Sequence, residues 1–342
     1  MDVFHNEKAL NKRLTITDVA QALGISKTTV SRAISGKGRV GEDTRHRVLK
    51  FIEENDYKPN VIAKGLAQQR TYNIALIIPG DCNLVDMPFF QNSMQGICQE
   101  ASDKDYDVML VTIAQNDYSN LERMISNNKV DGVILSRSLV KDRAIDYLEK
   151  QNMPFVLMGT SLDKDILQVD NDHQTGCCKM VEKLINNGIC KIGLIGGNSA
   201  FVVNRLRLQG YKDAFKASQN LFDERLIFNE CTTREKVEKA VKKLMDKEVE
   251  CIVCMDDEIC MSVLQFATKL RMSIPQNIQV VSFYDSSLLM NNKPAVTSLV
   301  FDDRQLGKYT CSVLLKHIHG EEVRKKTLLG YEIALRESTK TF

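Results

Sequence analysis

The chain has 342 residues, 43% of them apolar and 26% charged, with a net charge of +2 and ten cysteines. Such a length exceeds what one hydrophobic core usually fills, so two or three folding units are expected, and the ordinary composition excludes a disordered, collagen-like or disulfide-scaffold protein. No run approaches ~18 uninterrupted apolar residues, and Met1 to Leu14 lacks the apolar stretch of a secretory signal, so the sequence reads as a soluble, cytoplasmic protein with its thiols reduced.

The charge is unevenly spread. Residues 1 to 67 carry 12 Lys and Arg against 8 Asp and Glu, whereas the remainder carries 34 against 36. A short cationic head on a slightly acidic body points to a nucleic-acid contact confined to the first fifth of the chain.

Residues 15 to 57 predict three short helices and no strand. Thr15 with Asp18 makes a capping-box-like start, Val19, Ala20 and Leu23 form an apolar stripe, and Gly24 supplies a stop. Ser26 then caps a second helix that buries Val30, Ala33 and Ile34 and exposes Lys27, Thr28, Ser31 and Arg32; a third runs from about Glu42 to Glu54. Two helices joined by a short Gly-containing turn form a helix-turn-helix, whose second helix reads the major groove with its leading side chains. The segment Gly36-Lys-Gly-Arg-Val-Gly41 matches the dinucleotide fingerprint literally, but a helix rather than a strand precedes it, so it reads as a loop.

From Asn73 onward short apolar runs alternate with amphipathic stretches. Ile74 to Ile78, Val108 to Ile113, Gly132 to Leu135 and Phe155 to Met158 form one strand series; Lys191 to Ile195, Cys251 to Cys254 and Val280 to Phe283 form a second. Continuous apolar strands separated by helices belong to parallel sheets covered on both faces, and two series predict two doubly wound lobes. Cys251 and Cys254 have metal-like spacing, but without a second pair they read as strand core. His317 and His319 receive no role.

Thr17-Asp-Val-Ala20, Gly24-Ile-Ser26, Thr29-Val-Ser-Arg32, Thr44-Arg45, Tyr57-Lys-Pro-Asn60, Ala63 and Leu66 together resemble the DNA-binding head and hinge of the lactose-repressor (LacI/GalR) family. The likeness continues through Pro88-Phe-Phe90, Asp170-Asn171, Gly193 to Gly197, Arg205-Leu-Arg207, Gly210, Ile274-Pro275 and Arg336-Glu-Ser-Thr-Lys340. It implies an α/β protein with a helix-turn-helix head over residues 13–58 and a hinge helix and linker over 59–71. Two parallel-sheet lobes of periplasmic-binding-protein type then occupy 72–342: lobe one about 72–171 and 301–331, lobe two about 172–300 and 332–342. Thr15, Ser26, Lys27, Thr28, Ser31 and Arg32 would contact DNA, as would Asn60, Ala63 and Leu66 of a hinge too short to be a stable helix alone. The resemblance implies that Leu66 wedges between central base pairs from the minor groove.

Pockets in open parallel sheets form at the C-terminal ends of strands. Strand ends here offer Asp256 and Asp257, Tyr284 and Asp285, and Phe301 and Asp302. Arg207 resembles the family's Arg that binds effector hydroxyls, with Asp256 and Asp285 as acceptors or supports and Phe89, Phe90, Tyr284 and Phe301 as faces for a sugar ring. Tyr284 and Gly159 stand where lactose- and galactose-type members tend to carry Asp, and Ser282-Phe-Tyr-Asp-Ser286 is similar to maltose-type regulators, so a gluco-oligosaccharide is the expected effector. Asp256 and Asp257, adjacent on a segment read as extended, should face opposite ways and cannot serve as a glycosidase pair. The resemblance implies a repressor that is not an enzyme, needs no cofactor or metal, and binds a near-palindromic operator as a homodimer. A dimer is expected over a tetramer because the sequence ends soon after Arg336 without a leucine heptad. The alternatives are a sugar receptor of the same two-lobed fold without DNA function, or a regulator answering to a purine, a sugar phosphate or a phosphoprotein.

Overall fold

The computed structural model describes residues 14–36, 38–57, 65, 68–81, 87–114, 117–218 and 222–340. The chain divides into two compact units, Met1–Thr71 and Tyr72–Phe342.

In the first unit, helices α1 (Ile16–Leu23), α2 (Lys27–Ser35) and α3 (Glu42–Glu54) pack around Val19, Ala20, Val30, Ala33, Val48 and Tyr57. Local chemistry sets each boundary. The Thr15 backbone N–H donates to the Asp18 carboxylate at 2.8 Å while the Asp18 N–H donates to Thr15 Oγ1 at 3.4 Å, satisfying orphan donors at both ends of the first turn. Gly24 stops α1 with φ of 65°, a left-handed backbone that side chains disfavour. Ser26 Oγ accepts from the Thr29 N–H at 3.1 Å and so starts α2 after a turn of only three residues. Thr15→Ala should lower the opening free energy of α1 by about 1 kcal/mol, read as faster hydrogen exchange of the α1 amides while those of α3 change less.

The second unit runs β1 (Asn73–Pro79), α4 (Pro88–Ser102), β2 (Asp107–Ile113), α5 (Ser119–Ser126), β3 (Gly132–Leu135), α6 (Arg143–Lys150), β4 (Phe155–Met158) and β5 (Gln168–Asn171). It then crosses to α7 (His173–Asn186), β6 (Ile192–Ile195), α8 (Val202–Ala217), β7 (Ile227–Phe228), α9 (Arg234–Met245), β8 (Cys251–Cys254), α10 (Asp257–Lys269), β9 (Gln279–Ser282), α11 (Ser287–Asn291) and β10 (Thr297–Val300). It returns through α12 (Asp303–Ile318) and β11 (Lys326–Leu329) and crosses a last time into β12 (Glu332–Ala334).

The strands make two six-stranded sheets, ordered β11-β5-β4-β3-β1-β2 and β12-β10-β9-β8-β6-β7. Every pair is parallel except β10 with β12. Interior strands such as β3 and β8 are buried at every residue because helices cover both sheet faces. The Cys251–Cys254 segment belongs to this core, and burial pushes both thiols above their ordinary range. The connections β5 to α7, β10 to α12 and β11 to β12 carry the chain between lobes, so the C-terminal strand ends of both sheets face a shared cleft. None of the described helices is long and apolar enough to cross a membrane.

Candidate functional site

Two faces carry the chemistry, one in each unit. In the head, Lys27, Thr28, Ser31 and Arg32 are all exposed on α2, and its leading residues follow the Ser26 cap directly. The opposite face of α2 buries Val30 and Ala33, so the helix presents its polar side as a rigid surface. Thr15 and Ser26 are themselves exposed, each with its hydroxyl engaged in a cap. Gly36 closes α2 with φ of 68°, which puts the start of the fingerprint-like segment at a helix end. Asn60, Ala63 and Leu66 lie outside the described residues.

In the second unit the cleft is organised by Arg207. The helix α8 carries it to the end of β8, where Nη1 donates to the Met255 carbonyl at 2.8 Å. The residue is 6% exposed, and its Nε has no hydrogen-bond partner among the described residues. Around it stand Asp256, which caps α10 by accepting from the Ile259 N–H at 2.9 Å, and Asp257, the first residue of that helix. Asp257 therefore does not continue an extended segment, the reading that its sequence context suggests: the chain turns into a helix at Asp256, and both carboxyl groups lie in the field of Arg207. Desolvation raises both, Asp257 to about 6.

Tyr284 follows β9 and is directed by a tight turn in which its N–H donates to Ser282 Oγ at 3.2 Å. Its ring lies 5.8 Å from the Arg207 guanidinium carbon, and its hydroxyl donates to Asp303 at 2.6 Å. One face of the ring is thus occupied by a cation. Asp303 opens α12 in the other lobe, so this hydrogen bond spans the cleft. Burial pushes the Asp303 carboxyl up to about 6, against the opposing effects of its hydrogen bonds and Arg207.

Phe301 packs edge-on to His173 with ring centroids 4.6 Å apart. His173 is buried, and desolvation holds it below its ordinary range despite Asp170 Oδ1 at 3.4 Å from Nε2. Phe89 packs against the cores of both lobes and edge-on to Phe90, 5.2 Å away. Asp285 is separate from this cluster. Its two carboxylate oxygens each accept from Arg336 at 2.7 Å, which anchors the C-terminal segment.

The sequence does not single out Asp303, His173 or Asn171 as cleft residues, although each sits at a lobe crossover immediately beside a strand end. Position relative to β5 and β10 is the signal that could find them. Beyond this cluster, the loops after β3 and β6 bring the lobes together: Val140 N–H donates to the Ala200 carbonyl at 3.0 Å and Val202 N–H to the Ser138 carbonyl at 3.2 Å. Arg137 adds to that contact, lying over the Phe201 ring at 4.9 Å and pairing with Asp81 at 2.9 Å. Among the described residues no group of three His, Cys, Asp or Glu could hold a metal ion.

Known proteins match both units of the chain. Residues 71–334 match the family described as periplasmic binding proteins and sugar binding domain of LacI family, and residues 15–60 match bacterial regulatory proteins, lacI family. The chain is 30% identical over 320 residues to the HTH-type transcriptional regulator MalR of Streptococcus pneumoniae, covering 92% of this chain and 95% of that protein. It is 28% identical over 333 residues to catabolite control protein A of Staphylococcus xylosus, covering 96% and 99%. A solved transcriptional regulator CelR–cellobiose complex is similar with a TM-score of 0.72 at 27% identity, covering 95% of this chain and 100% of that one. A helix-turn-helix head followed by a two-lobed domain, each matched over nearly its whole length, means that the chain belongs to the LacI family of bacterial regulatory proteins, which are DNA-binding transcription regulators and not enzymes.

Proposed function

We propose that this regulator is a cytoplasmic, homodimeric repressor that binds a near-palindromic operator and responds to a gluco-oligosaccharide of the maltose type. The observation that carries the reading is the pairing of an exposed polar recognition face on α2 with a buried Arg207 whose Nε lacks a partner among the described residues in a cleft between two lobes. Lys27 and Thr28 read base edges from the start of α2, Ser31 and Arg32 act one turn further on, and Thr15 and Ser26 face the phosphates near the helix starts. Asn60, Ala63 and Leu66 supply the minor-groove contact that the family resemblance implies.

The dimer is supported by β2, the edge strand of the first sheet. It leaves Leu110 53% exposed beside a half-buried Val108, and such an apolar edge is normally covered. The sugar class is supported by similarity to MalR and to the CelR–cellobiose complex. Closure of the lobes on ligand shifts the head between operator-competent and incompetent states through the ligand's differential affinity for the two.

Footprinting with binding-site selection tests the operator reading. The expected result is a two-fold symmetric protected site whose affinity falls steeply with salt, and a Lys27→Ala/Thr28→Ala variant that selects a different sequence. One asymmetric half-site, or affinity insensitive to salt, overturns it.

A further inference from the structure

The charges in the cleft do not balance. Arg207 faces Asp256, Asp257 and Asp303, and its field acts on all three carboxyl groups. One guanidinium thus meets three carboxyl groups, and although desolvation raises Asp257 and Asp303 to about 6, both are still mostly ionised above pH 7. The site therefore carries surplus negative charge.

A second observation comes from hydrogen bonding. Buried atoms without a hydrogen-bond partner among the described residues lie at the same crossovers and on Arg207: Arg207 Nε, Asp303 Oδ1, His173 Nδ1, and both side-chain amide atoms of Asn171, a residue only 2% exposed. Buried polar groups are rarely left unmade, so these mark where a ligand completes the set. Donors and acceptors are intermingled among them. Arg207 Nε and Asn171 Nδ2 donate, whereas Asp303 Oδ1 and Asn171 Oδ1 accept; with Nε2–H directed at Asp170, His173 Nδ1 accepts too. A hydroxyl can meet either kind. A phosphate dianion accepts only, and it would bring like charge against Asp303 and Asp257.

We propose that Asp257 and Asp303 are charge-selectivity residues, which admit a neutral polyhydroxylated ligand to the Arg207 cleft and exclude its phosphorylated form. This rests on the sugar reading above and decides within it: of the alternatives open from the sequence, a sugar phosphate is the one the cleft rejects. Asp303 holds the more commanding place, because its hydrogen bond to Tyr284 fixes one carboxylate oxygen across the cleft, while Asn92 and the field of Arg207 also act on the carboxyl group.

The test uses the full chain with two matched pairs, maltose with maltose 6′-phosphate and cellobiose with cellobiose 6′-phosphate, by calorimetry at pH 7.5. Wild type is expected to bind a neutral disaccharide and to bind its phosphate about 100-fold more weakly, a penalty of the size expected for like charges a few ångströms apart at a protein surface. Asp303→Asn and Asp257→Asn should each narrow that gap, and the double variant should bring it below about 10-fold. Wild type binding a phosphorylated disaccharide as tightly as the neutral one, or variants that leave the gap unchanged, would overturn the proposal. Inorganic phosphate supplies an arm independent of any sugar. It should leave the melting temperature of wild type unmoved and raise that of the double variant, where Asp256 is the one carboxyl group of the three still opposing Arg207. Stabilisation of wild type by phosphate that disappears in Arg207→Ala defeats charge selection whatever sugar binds, whereas silence of both neutral disaccharides with the expected phosphate behaviour defeats only the gluco-oligosaccharide reading.

Discussion

Arg207→Ala is expected to retain operator binding while losing its response to sugar, with ligand affinity lowered about 10- to 100-fold. The guanidinium is held at one end by the Met255 carbonyl, and its Nε is left for a ligand oxygen. Truncation removes that donor and also the positive field over Asp256, Asp257 and Asp303, so those carboxyl groups shift further toward their neutral forms. A ligand hydroxyl that had met a cation then meets an empty space with nothing to replace the bond. The head forms a separate compact unit with its own core, so the DNA contact survives the change. Calorimetry with maltose on wild type and variant, beside an operator shift assay on both, is the measurement. Equal sugar affinities would remove Arg207 from the site. Arg207→Lys should fall between the two, because an ammonium keeps the charge but not the fork that satisfies Met255 and a ligand together.

Gly307→Ala is expected to damage the fold more than any single truncation on the surface of the same lobe. A methyl group at Gly307 would stand 2.0 Å from the Ser93 carbonyl oxygen on α4, and one at Gly96 would stand 2.0 Å from the Arg304 carbonyl oxygen on α12. The two helices approach backbone to backbone through this pair, and neither obstacle is a side chain that can swing away. The helices must therefore separate, at a cost on the order of 1–3 kcal/mol or more, and Asp303 lies one turn before Gly307 on the helix that moves. Urea unfolding should show a lower midpoint, and calorimetry should show weakened sugar binding from the displaced Asp303. Gly330→Ala is the matched control, since no atom lies within 4 Å of its added methyl. An unchanged midpoint for Gly307→Ala would mean that α4 and α12 tolerate separation. Gly210 makes the equivalent approach in the other lobe, where a methyl would meet the Gln174 carbonyl oxygen at 2.2 Å.

The sequence by itself determined the elements whose causes are local. Thr15 with Asp18, Gly24 and Ser26 act over three or four residues, so the helix-turn-helix is legible in the order of residues alone. The alternation of apolar runs with helical stretches is equally legible, because a strand covered on both faces must be apolar throughout its own length. Asp256 stands out as a strand-end residue and Arg207 through the family resemblance, although Arg207 lies in the second turn of α8 rather than at its start. What only the tertiary structure decided is who meets whom. Asp285 has the same strand-end address as Tyr284, yet Arg336, 51 residues away, takes both of its oxygens. Asp303 has no signature beyond a carboxyl at a crossover, and it matters because the second lobe places Tyr284 2.6 Å from it. Gly96 and Gly307, 211 positions apart, look like weak helix residues until their helices are laid together. Caps, turns and periodic burial depend on neighbours along the chain, which a sequence displays directly. Charge balance in a cleft and the closeness of two backbones depend on distances between segments brought together only by folding.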